Sequence, residues 1–163
     1  MQRVAGFVLA GGLLLASTGL ALGQGYGGGG YEPTPPPAQT APPAAQASNK
    51  AETQLRTAID HAKNSAGSGA MASAVSHLGH VLNCIEGTKG KNFNASCGHV
   101  CQGQGDGILT DIKGAKNADN LMLVLEAADN LATAGVKARD LSAVQNAARG
   151  TGALLQIVLD GTK

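Results

Sequence analysis

The stretch NKAETQLRTAIDHAKNSAGSGAMASAVSHLGHVLNCIEG, residues 49–87, decides how the chain folds. Asn49 stands where a helix cap belongs, with Glu52 three positions on to close a capping box. Leu55, Ala58, Ile59, Ala62 and Ala66 then recur at alternating spacings of three and four, which places them on one face of a helix. Gly67-Ser68-Gly69 breaks the pattern. It resumes with Met71, Ala74, Val75, Leu78, Val81, Leu82 and Ile85, and stops at Gly87. Two helices joined by so short a break must fold back on each other as a hairpin.

Working outward, residues 87–107 are rich in Gly and Asn and carry Cys97 and Cys101, which predicts a long loop. Ile108, Leu109, Ile112 and Ala115 begin a third helical stretch, and residues 121–131 are apolar over an arc wide enough to suggest burial on several sides. Asp140 starts a last helix through Leu141, Val144, Ala148, Leu155 and Val158, despite Gly150 and Gly152 within it. No alternating strand pattern occurs. The expectation is an all-α domain at residues 49–163, an antiparallel four-helix bundle with a Gly/Cys-rich loop between helices 2 and 3.

Upstream of the domain the composition changes twice. Residues 1–23 pair Arg3 with an apolar run and end in Ala21-Leu22-Gly23, the pattern of a cleaved secretory signal. An uncleaved anchor is the alternative, since residues 4–23 carry no charge. Residues 24–48 hold all six prolines and a glycine run, too little apolar area to fold, and read as an extended tether. A periplasmic or extracellular location follows, with no stable membrane insertion after cleavage.

Composition narrows the function. The 163 residues carry a formal net charge of +1 with no basic block, which argues against nucleic acid as a partner. Aromatic residues make up 2% and Trp is absent, so stacking platforms are missing. No nucleophile–base triad or paired carboxylates have usable spacing, and an enzyme is not expected. Gly103-Gln-Gly105-Asp-Gly107 lacks both the preceding strand and the lysine of a phosphate loop.

Chemistry concentrates in four His and three Cys. His61 and His77 sit at equivalent places, each in an Ala-aliphatic-polar-His setting, at the edge of the apolar stripe of its helix. Folded about Ser68, the hairpin brings them within about 3 Å of the same level. His80 lies one turn beyond His77. His61, His77 and His80 thus form a candidate three-nitrogen site for a transition metal, and the same rings serve as axial ligands of a non-covalent haem, with Met122 as a further candidate axial ligand. Covalent c-type haem is excluded because no Cys-x-x-Cys-His occurs. Cys84 can close the loop by joining Cys97 or Cys101; Cys84–Cys101 is the pairing expected, leaving Cys97 free. Phe93, the one aromatic of the domain, is a candidate cover for the site.

The segments Ala58-Ile-Asp-His61-Ala and His77-Leu-Gly-His80 resemble those of small periplasmic metal-binding proteins built from His-bearing helical hairpins. The resemblance spans about thirty residues and implies a helical bundle that sequesters transition-metal ions. This chain differs in having few histidines, gathered on one hairpin, and in its cysteine loop. The function expected is therefore a single metal centre, haem or bare ion, for electron transfer or metal handling, with a redox or metal-trafficking partner in the envelope. The alternative is a cofactor-free interaction module whose run at residues 121–125 buries against another envelope protein or a second copy as a homo-oligomer.

Overall fold

The structure is a computed structural model that describes residues 44–163. The expected signal and the tether as far as residue 43 lie outside the described residues. Five α-helices follow in order: α1 (Ala44–Gly67), α2 (Met71–Glu86), α3 (Ile108–Asp111), α4 (Ala118–Val136) and α5 (Leu141–Gly161). Short 3-10 turns at Ala95–Cys97 and Ile112–Gly114 complete the secondary structure, and no strand occurs among the described residues. The domain is all-helical, as its periodicity requires. None of these helices is long and apolar enough to cross a membrane.

Two boundaries differ from expectation. α1 begins at Ala44, so Asn49 is a helical residue, its carbonyl accepting from Thr53 Oγ1, and caps nothing. Ala47 and Ala51 extend the buried stripe of Leu55, Ala58, Ile59 and Ala62 backwards, which gives the added turn a reason to stay helical. The third stretch is a single α-turn continued by a 3-10 turn, because Gly114 interrupts it before a second apolar turn can form.

α1 packs on α2 and on α5, and α4 packs on α5 and on α2, while α1 and α4 are not adjacent in the packing. The core is aliphatic: Leu55, Leu78, Val81, Ile85, Ile108, Ile112, Leu125, Val144, Leu155 and Val158 are fully buried. Small residues let the backbones approach. A Cβ added to Gly152 would lie 3.2 Å from Ala62 Cβ, and one on Gly135 would lie 2.6 Å from Ala147 Cβ. α4 is not buried on several sides. Leu121, Leu125, Ala128, Ala132 and Gly135 face inward against α2, α5 and the α3 turn, while Leu123 is 68% exposed on the side that no element covers. α5 begins as read: the Asp140 carboxylate accepts from the Ala143 amide at 2.8 Å and from Ser142 Oγ at 2.7 Å.

The second half of α2 is covered all round, since Val81 to Glu86 are all buried. The loop that follows is what covers it. Gly87, at φ +67°, turns the chain off the helix, and a Cβ there would sit 2.2 Å from the Asp106 carbonyl oxygen, where the loop returns. Buried Gln54 on α1 secures that return by accepting from the Gly107 amide at 3.0 Å and donating to Asp111 Oδ2 at 2.7 Å.

Candidate metal centre

The α1–α2 hairpin closes as the sequence arithmetic implies, with Ser65 Oγ donating to the Ala74 carbonyl near the turn at 2.7 Å. One and two turns further from the turn the histidines meet. His61 Nδ1 lies 3.1 Å from His77 Nδ1 and 3.2 Å from His80 Nδ1. The ring centroids are 4.8 to 5.8 Å apart, and the rings of His61 and His80 stand edge to face. Among the described residues this is the group whose ligand atoms converge closely enough to hold one ion. Nitrogens around a four-coordinate zinc, with bonds of about 2.0–2.1 Å, stand about 3.3 Å apart. The two spacings from His61 are close to that, and the three ligand atoms all lie within 4.8 Å of one another. All three rings are half-buried, so the site keeps an open side.

His80 is oriented by its other nitrogen, whose Nε2–H donates to the Cys97 carbonyl. That bond places the proton of the neutral ring on Nε2 and leaves the Nδ1 lone pair facing the cluster, the arrangement metal-binding histidines use. The carbonyl is itself held. Buried Asn83, one turn after His80, donates from Nδ2 to the Asn94 and Gly98 carbonyls at 2.8 and 2.7 Å and accepts from the Asn94 amide at 2.8 Å. Cys84 and Cys101 are paired, Cα–Cα 5.4 Å, and both are buried. Cys97 is the free cysteine, and a Cβ on Gly79 would lie 2.7 Å from its Sγ, so only glycine lets the loop come this close to α2.

Electrostatics favour the neutral form of His61. Burial, then the neighbouring charges of His80 and His77, hold His61 below the usual imidazole range, against a smaller opposing effect of Asp60. A neutral imidazole is the form that binds a metal.

The other candidates lie elsewhere. Phe93 stacks edge to face on His99 at 5.4 Å, making that pair its aromatic contact. Met122 is half-buried on α4, about 20 Å along the helix from Gly135, the α4 residue that lies against Leu78 beside His77. Sequence reasoning missed Asn83 and the Cys97 carbonyl. Asn83 carries a faint signal, an amide on the apolar side of α2 followed by an Asn-rich loop; a main-chain oxygen carries none. No family model, curated protein or solved structure matches the chain.

Proposed function

We propose that this protein holds one transition-metal ion at His61, His77 and His80 and serves metal handling in the periplasm or outside the cell. The observation that carries the reading is the convergence of three Nδ1 atoms at 3.1 and 3.2 Å, with His80 locked in the ligating tautomer by the Cys97 carbonyl. Imidazole nitrogen suits Zn, Cu, Ni or Fe, and three nitrogens leave a coordination position for water or for a partner's ligand. A bare ion fits better than haem, since a porphyrin plane must pass between two axial imidazoles, and rings in edge-to-face contact leave no room for it. The scaffold is read as an antiparallel four-helix bundle of α1, α2, α4 and α5, with α3 as a turn in the connection. The Cys84–Cys101 pair supports an oxidising compartment.

Titration with Zn2+, or with Co2+ followed by its visible absorption, tests this. One equivalent is expected to bind, with affinity at least about 10-fold lower in His77→Ala and in His80→Ala. Unchanged affinity in both variants discards the site. The second reading, a metal-free interaction module, has the exposure of Leu123 (68%) and Ile157 (55%) in its favour. It predicts no bound metal and sedimentation as an assembly.

A further inference from the structure

The outer face of the α4–α5 pair carries no charge between its edges. α4 presents Leu123, Ala127 and Leu131 there, and α5 presents Gly150, Leu154 and Ile157. Leu123 and Ile157 are the large apolar side chains that stand exposed among the described residues, and both fall on this face. Gly135 lies against Ala147, Gly150 against Leu131 and Gly161 against Leu121, so the two helices run in opposite directions in a fixed register. That register brings Leu123 and Ile157 within about 3 Å of the same level, where they form one projecting ridge. About 18 Å further along, the same face sinks into a cleft of about 340 Å³ between Ala134 and Ala138 on α4 and Ala143 and Asn146 on α5. An exposed apolar face of this kind marks an interaction site.

The edges of the face are charged, and the signs are ordered. Glu126 and Lys137 stand three turns apart on the open flank of α4, and Arg149 and Asp160 three turns apart on that of α5. All four are exposed. Glu126, Lys137 and Arg149 form no ion pair among the described residues, while Asp160 holds Lys163. Because the helices run oppositely, both acids flank the ridge and both bases flank the cleft. The buried carboxyls of Glu86 and Asp129 share a hydrogen bond on the α2 side of α4 and take no part. One partner matches all of these features. A second copy, turned end for end about an axis across the helices, lays its ridge over this cleft and its acids against these bases, and receives the same in return. We infer that the protein self-associates through this face as a two-fold dimer, α4 on α4 and α5 on α5, with Leu123 and Ile157 seated in the opposite cleft and Glu126 paired with Lys137 of the partner subunit. The uncharged centre lets the face meet itself without like-charge repulsion. At about 22 Å by about 20 Å the face falls short of the roughly 800 Å² per partner of a durable interface, so the dimer is a weak one, with Kd of about 10–100 μM.

Sedimentation equilibrium of the purified protein, from about 1 μM to about 1 mM, tests this, and a reversible monomer–dimer transition is expected with or without metal. A protein that stays monomeric throughout overturns the proposal, as does assembly beyond a dimer. Leu123→Asp should weaken association by about 10-fold or more. Glu126→Lys and Lys137→Glu should each weaken it by about 10-fold, since each sets like charges opposite one another. Mixed together, these two variants should form a heterodimer as strong as the wild-type dimer, because every facing pair is then opposite in sign. A mixture that fails to recover that strength overturns the proposal, as does equal association by wild type and the single variants. Thermal melting of each variant confirms that it is folded. His77→Ala, which alters only the α1–α2 hairpin, should dimerise as wild type does while losing Zn2+ affinity, so the dimer and the metal centre stand or fall separately.

Discussion

Gly79 and Cys97 show how narrow the tolerance around the histidines is. With a Cβ 2.7 Å from Cys97 Sγ, Gly79→Ala must push the loop away from α2 and carry the Cys97 carbonyl off His80. A loss of about 1–3 kcal/mol is expected in denaturant unfolding, with weaker metal binding. Adding Cys97→Ala removes the colliding sulfur and should restore both, since the thiol itself does not contact the cluster through any hydrogen bond while the carbonyl does. Asp129 sets a pH dependence of its own. In the fold it keeps its proton up to about pH 6, and in the unfolded chain it loses it near 3.8. Between those values the folded state binds more protons, so this group's contribution to stability falls as pH rises and levels off above about 6. Asp129→Asn should abolish that slope and raise stability at neutral pH by on the order of 1 kcal/mol. The difference between wild type and variant in urea unfolding across this range measures it. The level of His61 with His77 was legible from the hairpin because helical rise is fixed. The meeting of Glu86 with Asp129 was not, since the two lie on separate helices and no local pattern links positions so far apart.

The elements were legible where apolar periodicity was strong and illegible where tertiary contacts decide. α2 and α5 follow their stripes, and Asp140 caps α5 through a local bond that the sequence can show. Where α1 begins depends on Ala47 and Ala51 finding a buried place, and alanine alone does not announce that. The exposure of Leu123 depends on which sides of α4 are covered, a property of its neighbours. Close helix contact makes the glycines unequal. Gly135→Ala would place its Cβ 2.6 Å from Ala147 Cβ, which cannot swing aside, and should cost about 1–3 kcal/mol. Gly150→Ala meets the end of the Leu131 side chain at 2.6 Å; a rotamer change relieves it, and a helix-propensity gain of up to about 1 kcal/mol offsets the rest. Thermal melts of the two variants should rank them in that order. The disulfide closes a segment of 17 residues, worth about 3 kcal/mol in the chain-entropy model. Cys84→Ser with Cys101→Ser should lose roughly that amount and lower metal affinity by about 10-fold or more, because the His80 acceptor loses its anchor.

For the domain as a whole, an ion bound only by the folded state stabilises it by mass action. At a free Zn2+ concentration about 100 times Kd the gain is about 2.7 kcal/mol, a rise in melting temperature on the order of 10 °C, reversed by chelator. Calorimetric scans with and without chelator measure it. The effect should be absent in His80→Ala. The placement of the site fits this coupling. The histidines bridge α1 and α2, α1 reaches α5 and α2 reaches α4, so an ion held by the three rings would restrain both helices that the rest of the bundle packs on.

The bond from His80 to a main-chain oxygen has one more consequence. Every amino acid carries that oxygen, so no side-chain exchange at position 97 deletes it, and a conventional alanine scan would pass over the group that orients His80. What must be kept is the path of the chain, set by the Asn83 amide and by Gly98 at φ +82°. The path of the loop, more than the side chain at position 97, therefore sets the orientation of His80. An exchange that moves this path, at Asn83 or Gly98, is the one that should reach His80.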